Sequence, residues 1–143
     1  MKYLDTNVIV YAIENHPRYG EACKRILEDV EDGKLRVSCS VLILVELISV
    51  LKKLNGILSR QGGKELVIED NIGAVLSLPI TWVDLDLLII EKASTYSFNI
   101  SGVDYTHVAT MEVSSITEIL SADGEFDRVP MIKRIDPLGF GRS

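Results

Sequence analysis

The chain has 143 residues, 47% of them hydrophobic and 25% charged, with a formal net charge of −6; that length fits one domain burying roughly two thirds of its unfolded surface. A pI near 4.9 excludes the basic footprint of a general nucleic-acid binder, so a nucleic-acid partner would need a local basic patch or bound cations. A mean hydropathy of +0.21 predicts a large core and an apolar patch for self-association, yet Glu46 and Asp86 interrupt the apolar runs well short of the roughly 18 residues of a membrane helix.

The stretch Lys2 to Asn7, K-Y-L-D-T-N, reads as a short strand that turns at Asp-Thr-Asn into a helix carrying Val8, Ile9, Tyr11 and Ala12. Asp5 then stands at the carboxyl end of a strand, where open α/β sheets bind ligands, or simply caps the helix. Pro17 suits the first turn of a second helix running to about Asp32, with Ala22, Cys23, Ile26, Leu27 and Val30 on its buried face. Leu35 to Cys39 alternates like a strand, and Ser40 can cap a helix from Val41 to Leu54 that is apolar nearly all round and is expected to lie deep in the fold. From Gly56 to Leu78 the helical pattern is weakened by Gly62-Gly63, which predicts two helices or a kinked pair.

Ile80 to Val83 is expected as a buried strand, Leu85 to Tyr96 as a helix, Asn99 to Val103 as a loop and Asp104 to Val113 as a helix. Glu118 to Leu120 follows as a short strand, then an Asp123-Gly124 turn and a last strand around Met131 to Ile135. Strands alternating with helices indicate parallel βαβ units and a three-layer α/β fold. No signal peptide is read, because Asp5 and Glu14 flank a short apolar stretch with no small-residue cleavage site behind it. Cys23 and Cys39 fall inside predicted elements and read as reduced, packed thiols of a cytoplasmic protein.

Four carboxylates carry the functional reading. Glu46 interrupts an apolar helix, where a buried carboxylate costs several kcal/mol unless protonated, paired or metal-bound; a surface position or a pairing with Lys52 or Lys53 is the alternative. Asp104 follows Ser101 at capping-box spacing, and Asp123 in Asp-Gly is ordinary turn chemistry. Taken together, Asp5 and Asp123 each follow a predicted parallel strand, Asp104 begins a helix and Glu46 projects from a helix entered from a strand, so a doubly wound fold can bring all four to one rim. Such a set would repel itself unless it bound cations or raised some of its own pKa values. All-oxygen ligands favour Mg²⁺ or Mn²⁺, and two such ions can activate a water and stabilise the leaving oxygen of a phosphodiester.

The motifs L-D-T-N at Leu4 to Asn7, V-E-L at Val45 to Leu47, D-Y-T-H-V-A at Asp104 to Ala109 and S-A-D-G-E-F at Ser121 to Phe126 resemble, in order and over nearly the whole chain, the PIN-domain family, and most of all its VapC-type toxins. The resemblance implies a single PIN-like domain over residues 1–143, an α/β/α sandwich with a central mostly parallel sheet. It also implies an RNA-cleaving site in which Asp5, Glu46, Asp104 and Asp123 hold Mg²⁺ or Mn²⁺, supported by Asn7 and Ser121. Ser121 stands where Thr is more usual in the family.

Lys52, Lys53, Arg60 and Lys64 cluster at the break between two predicted helices and read either as a solvated surface or as a phosphate-contacting lip for RNA. His107 reads as a packed histidine, His16 as an exposed loop residue and Trp82 as core, while Glu125 and Asp127 either extend the acidic rim or belong to a solvated turn. The expectation is a metal-dependent ribonuclease, the toxin of a toxin–antitoxin pair. It is also expected to be a homodimer through the Ile57 to Leu78 stretch, with Leu58, Leu66, Val67 and Ile68 as contacts and a further apolar groove for a cognate antitoxin. The alternatives are an RNA-processing nuclease without an antitoxin and a non-catalytic PIN-like binding module. An aspartyl phosphatase is disfavoured because D-T-N lacks a second acid two residues on.

Overall fold

The computed structural model describes residues 1–141. Strand β1 (Lys2–Leu4) is central, with β2 (Val37–Ser40) and β3 (Thr81–Val83) on one side and β4 (Glu118–Leu120) and β5 (Lys133–Ile135) on the other. Every neighbouring pair is parallel, in the order β3-β2-β1-β4-β5. Helices α1 (Thr6–Ile13) and α2 (Gly20–Glu31) join β1 to β2, and α3 (Leu42–Arg60) and α4 (Ile68–Leu76) join β2 to β3. Helices α5 (Leu87–Ala93) and α6 (Gly102–Val113) return the chain to β4, and a 3-10 helix, Gly124–Arg128, leads to β5.

The first two crossovers step outward from β1 and the third jumps back to its other side, so right-handed connections put α1 to α4 on one face and α5 and α6 on the other. Strand alternation separates the two cores: Leu4 packs with Val8, Ile9, Ile43 and Leu47, whereas Tyr3 packs with Val108, Met111 and Ile119. On α3, Ile43, Leu47 and Leu51 recur every fourth residue and are fully buried, each contributing about 1.5–3 kcal/mol by removal from water. The step from β3 back to β4 makes the gap between β1 and β4 the point where the strand order reverses, and the crevice at their carboxyl ends is the natural ligand position.

The α/β/α architecture expected from the sequence is observed, with several local differences. Residues Pro17 to Tyr19 form turns before α2 rather than its first turn. His16 is half-buried, because its ring lies tilted against Tyr11 and edge-on to Tyr19 and its Nδ1 accepts the N–H groups of Arg18 and Tyr19. Helix α3 runs through Gly56 to Arg60, and the chain breaks only at Gly62, whose φ of +72° lies in the left-handed region that glycine adopts without strain. Nor is α3 buried all round, since Val45 is 60% exposed. Strand β3 is an edge strand, with Thr81 exposed and Trp82 half-buried. Among the described residues no helix is long and apolar enough to cross a membrane.

Candidate active site

Leu4 pairs with Leu120, so the residues that follow them, Asp5 and Ser121, emerge side by side at the carboxyl edge. The Asp5 N–H donates to the Leu120 carbonyl at 3.1 Å. Asp5 caps α1, its Oδ1 accepting the Thr6 N–H at 2.8 Å, and its Oδ2 accepts the Ser121 hydroxyl at 2.7 Å and Asn7 Nδ2 at 3.1 Å. Asn7 also donates to Ser121 Oγ at 3.1 Å and accepts the Ala122 N–H at 3.2 Å, and Ser121 Oγ accepts the Asp123 N–H at 3.0 Å. Asn7 and Ser121 thus clasp the ends of β1 and β4 together and fix the backbone that carries Asp123. Capping and cavity lining are therefore both roles of Asp5, not alternatives.

Asp5, Glu46, Asp104 and Asp123 line a single cavity of about 330 Å³ together with Thr6, Asn7, Val10, Tyr11 and Val50. Each acid comes from a different element. Glu46 projects from the second turn of α3, and its Oε1 accepts the Thr6 hydroxyl at 3.1 Å and His107 Nε2 at 2.6 Å; neither Lys52 nor Lys53 is its partner. Asp104 sits in the first turn of α6, where Ser101 caps the helix by accepting the Asp104 N–H at 3.1 Å. Asp123 caps the 3-10 helix, accepting the Glu125 N–H at 2.9 Å.

Charge in this cavity is unbalanced. Asp104, Asp123 and Glu125 each offer an oxygen within 4.8 Å of the others, a spacing at which like charges repel by roughly 3 kcal/mol at an effective dielectric of about 20. Burial, helped by the charges of Asp5 and Asp123, pushes the Asp104 carboxyl up to about 6 against the pull of His107. Burial also raises Asp5, opposed by the His107 charge and by the hydrogen bonds from Ser121 and Thr6. For His107, burial disfavours the cation, but the Glu46 hydrogen bond and the surrounding carboxylates outweigh it and hold the ring above the usual histidine range.

The donor set fits a hard divalent cation: the cavity is lined by carboxylate, hydroxyl and amide oxygens, with no thiol or free imidazole nitrogen to favour zinc. Cys23 and Cys39 are buried elsewhere as free thiols, and burial pushes Cys23 up to about 11. The sequence pattern gave no hint of Thr6, and it pointed to packing alone for His107. His107 is fully buried, yet it also bonds Glu46; its position three residues after Asp104 on one helix, hence on the same face, is the signal that was available. Glu125, open between rim and turn on sequence grounds, comes within reach of Asp104 and Asp123, while Asp127 pairs with Arg134 at 3.0 Å. Of the basic residues, Lys53 and Arg60 lie on the Glu46 stripe of α3 and Lys52 does not, and Lys64 lies in the exposed segment after the helix.

No curated protein matches the chain at a significant level. Among solved structures it is similar to VapBC2 from Rickettsia felis bound to a DNA fragment from their promoter, with a TM-score of 0.68 at 19% identity over 94% of this chain and 98% of that one. It is also similar to a toxin–antitoxin complex from Klebsiella pneumoniae, with a TM-score of 0.67 at 16% identity over 96% of this chain and 98% of that one. VapC20 from Mycobacterium tuberculosis, a sarcin-ricin loop cleaving toxin, has a TM-score of 0.64 at 20% identity over 89% of this chain and 93% of that one. These likenesses show a shared fold. The family model for the PIN domain matches residues 2–131, and the chain belongs to the PIN-domain family.

Proposed function

We propose that residues 1–143 act as one PIN-like unit, a Mg²⁺- or Mn²⁺-dependent ribonuclease that serves as the toxin of a toxin–antitoxin pair in the cytoplasm. The observation that carries this reading is the convergence of four acids from four elements on one cavity at the β1–β4 reversal. Asp5, Glu46, Asp104 and Asp123 would hold the cation together with Glu125, whose carboxylate lies within the same 4.8 Å of Asp104 and Asp123. A divalent cation held there supplies Lewis-acid activation of water and neutralises charge on the phosphodiester. Asn7 and Ser121 keep Asp5 and Asp123 in register. Lys53 and Arg60, along α3 from Glu46, would hold RNA phosphates on the approach to the cavity.

The sarcin-ricin loop activity of VapC20 and the antitoxin complexes among the similar folds support RNA as substrate and a protein antitoxin as partner. Exposed apolar side chains support a homodimer: Ile57, Val67 and Leu76 are exposed in the Ile57 to Leu78 stretch, where Leu58, Leu66 and Ile68 are half-buried, and Val45, Leu87 and Leu88 are exposed outside it. The purified protein is expected to cut single-stranded RNA with Mg²⁺ or Mn²⁺ and to stop in EDTA. Cleavage undiminished by EDTA would remove the metal from the mechanism, and Mn²⁺ binding without cleavage of any RNA would favour a binding module.

A further inference from the structure

Behind Glu46 lie three fully buried polar groups that the acids do not account for: Tyr3 on β1, Ser40 at the end of β2 and His107 on α6. Three buried polar groups at a layer boundary would be cheaper as hydrocarbon unless their hydrogen bonds serve something. The Ser40 N–H can only donate, and it gives to the Tyr3 hydroxyl at 3.1 Å. The hydroxyl proton is then free for His107 Nδ1, which lies 2.6 Å away. With Nδ1 accepting, the ring hydrogen is on Nε2 and donates to Glu46 Oε1 at 2.6 Å. A doubly protonated ring presents the same Nε2–H and donates its Nδ1–H to the Tyr3 hydroxyl instead, so the contacts to Glu46 and to Tyr3 persist whatever the charge of His107.

Oε1 also accepts the Thr6 hydroxyl at 3.1 Å. A carboxylate oxygen accepts about two hydrogen bonds in its plane, so Oε1 is filled and Oε2 is the atom left for the cavity. Tyr3 acts at both ends of the same lever: its hydroxyl pins the Ser40 backbone, whose side chain accepts the Leu42 N–H at 3.1 Å at the entry to α3, and through His107 it holds the head of Glu46 on that helix.

Building on the metal-nuclease reading, we propose that Tyr3 and His107 form a positioning relay that presents Glu46 to a divalent cation through Oε2 alone. Neither residue touches the cation or the substrate. Outer-shell partners of this kind orient a ligand before the ion arrives, and their loss typically costs about 10- to 100-fold in metal affinity.

The test is Mn²⁺ affinity of the full chain, read from the electron paramagnetic resonance signal of free Mn²⁺ at one fixed neutral pH. His107→Leu, which removes the donor, is expected to weaken binding by about 10-fold or more. His107→Gln places an amide N–H near the Nε2 position without any positive charge and is expected to retain most of the affinity. Tyr3→Phe keeps the ring packing and removes the hydroxyl, so it keeps the test alive if His107→Leu does not fold; its expected loss lies between the other two. RNA cleavage lost in Tyr3→Phe should return as Mn²⁺ is raised while the circular dichroism stays parent-like throughout, whereas a merely loosened fold would regain structure and cleavage together. Parent-like Mn²⁺ affinity in both His107→Leu and Tyr3→Phe, or a His107→Gln as weak as His107→Leu, overturns the relay and leaves the nuclease reading standing. A parent protein that binds no Mn²⁺ overturns both.

Discussion

The Ser121 hydroxyl donates to Asp5 Oδ2 at 2.7 Å across 116 residues of chain. That one bond joins the carboxyl ends of β1 and β4, and Ser121 Oγ also accepts the Asp123 N–H and Asn7 Nδ2, so three residues of the cavity, Asp5, Asn7 and Asp123, share a single hydroxyl. Ser121→Ala is expected to destabilise the protein by about 1.5–3 kcal/mol, the range for a lost hydrogen bond to a charged group, since Asp5 stays buried with only Asn7 and the Thr6 N–H. Denaturant melts measure it. Ser121→Thr restores the hydroxyl and should recover most of the loss, whereas a neutral Ser121→Ala would mean the clasp is idle.

Asp104 gives the stability a pH signature. Its carboxyl is raised to about 6 in the folded protein from an ordinary value of 3.8, so the folded protein binds that proton more tightly than the unfolded chain. The stabilising contribution is fully present below the unfolded value and is lost as pH rises through the folded one, at no more than about 1.4 kcal/mol for each pH unit that separates the two, because solvent screens a half-buried carboxylate. In EDTA, Asp104→Asn should therefore gain on the parent in Tm as pH rises across this window, by several degrees at neutral pH. A Tm difference that stays flat with pH would show that Asp104 carries no such strain.

Asp5 is the poorer site for that comparison. Both of its oxygens accept hydrogen bonds, and the amide of Asp5→Asn would set an N–H₂ group against a donor from Thr6 or from Asn7 and Ser121. The relief of charge would be masked by the loss of those bonds.

Lys53 and Arg60 lie seven and fourteen residues past Glu46 on α3, about 10 Å and 21 Å along the helix axis. If that stripe tracks an RNA backbone, Lys53→Ala and Arg60→Ala should each weaken binding of single-stranded RNA and lower the salt-dependence slope by about 0.7. Lys52→Ala, roughly a third of a turn away, is the control and should change little. Filter binding across a salt series separates the outcomes, and three equal effects would mean a diffuse field instead of a track.

The layer order, the parallel sheet and the four acids were legible because each leaves a local trace: strand and helix periods, turn residues, and carboxylates at strand ends or helix starts. What escaped were properties set by distant partners. Val45 and Leu47 are both apolar but lie on opposite faces of α3, and only the packing of α1 and α4 against one side decides that Leu47 is buried and Val45 exposed. Thr81 and Trp82 fit a buried strand by composition, but among the described residues β3 has no neighbour on its outer edge. Tyr3 and His107 lie 104 residues apart, and no periodicity links them. The Asp104–His107 spacing put both on one face of a helix, but not against Glu46.

The central claim, that these acids form a cation-dependent nuclease site, is tested most directly by single-turnover cleavage of single-stranded RNA in Mn²⁺ by the parent, Asp104→Asn and Asp123→Asn proteins, all shown to be folded by circular dichroism. The parent is expected to cut, and each variant to be slower by about 100-fold or more, as when an electrostatic partner of the transition state is removed. Variants that cleave at the parent rate would contradict the account and place the chemistry elsewhere.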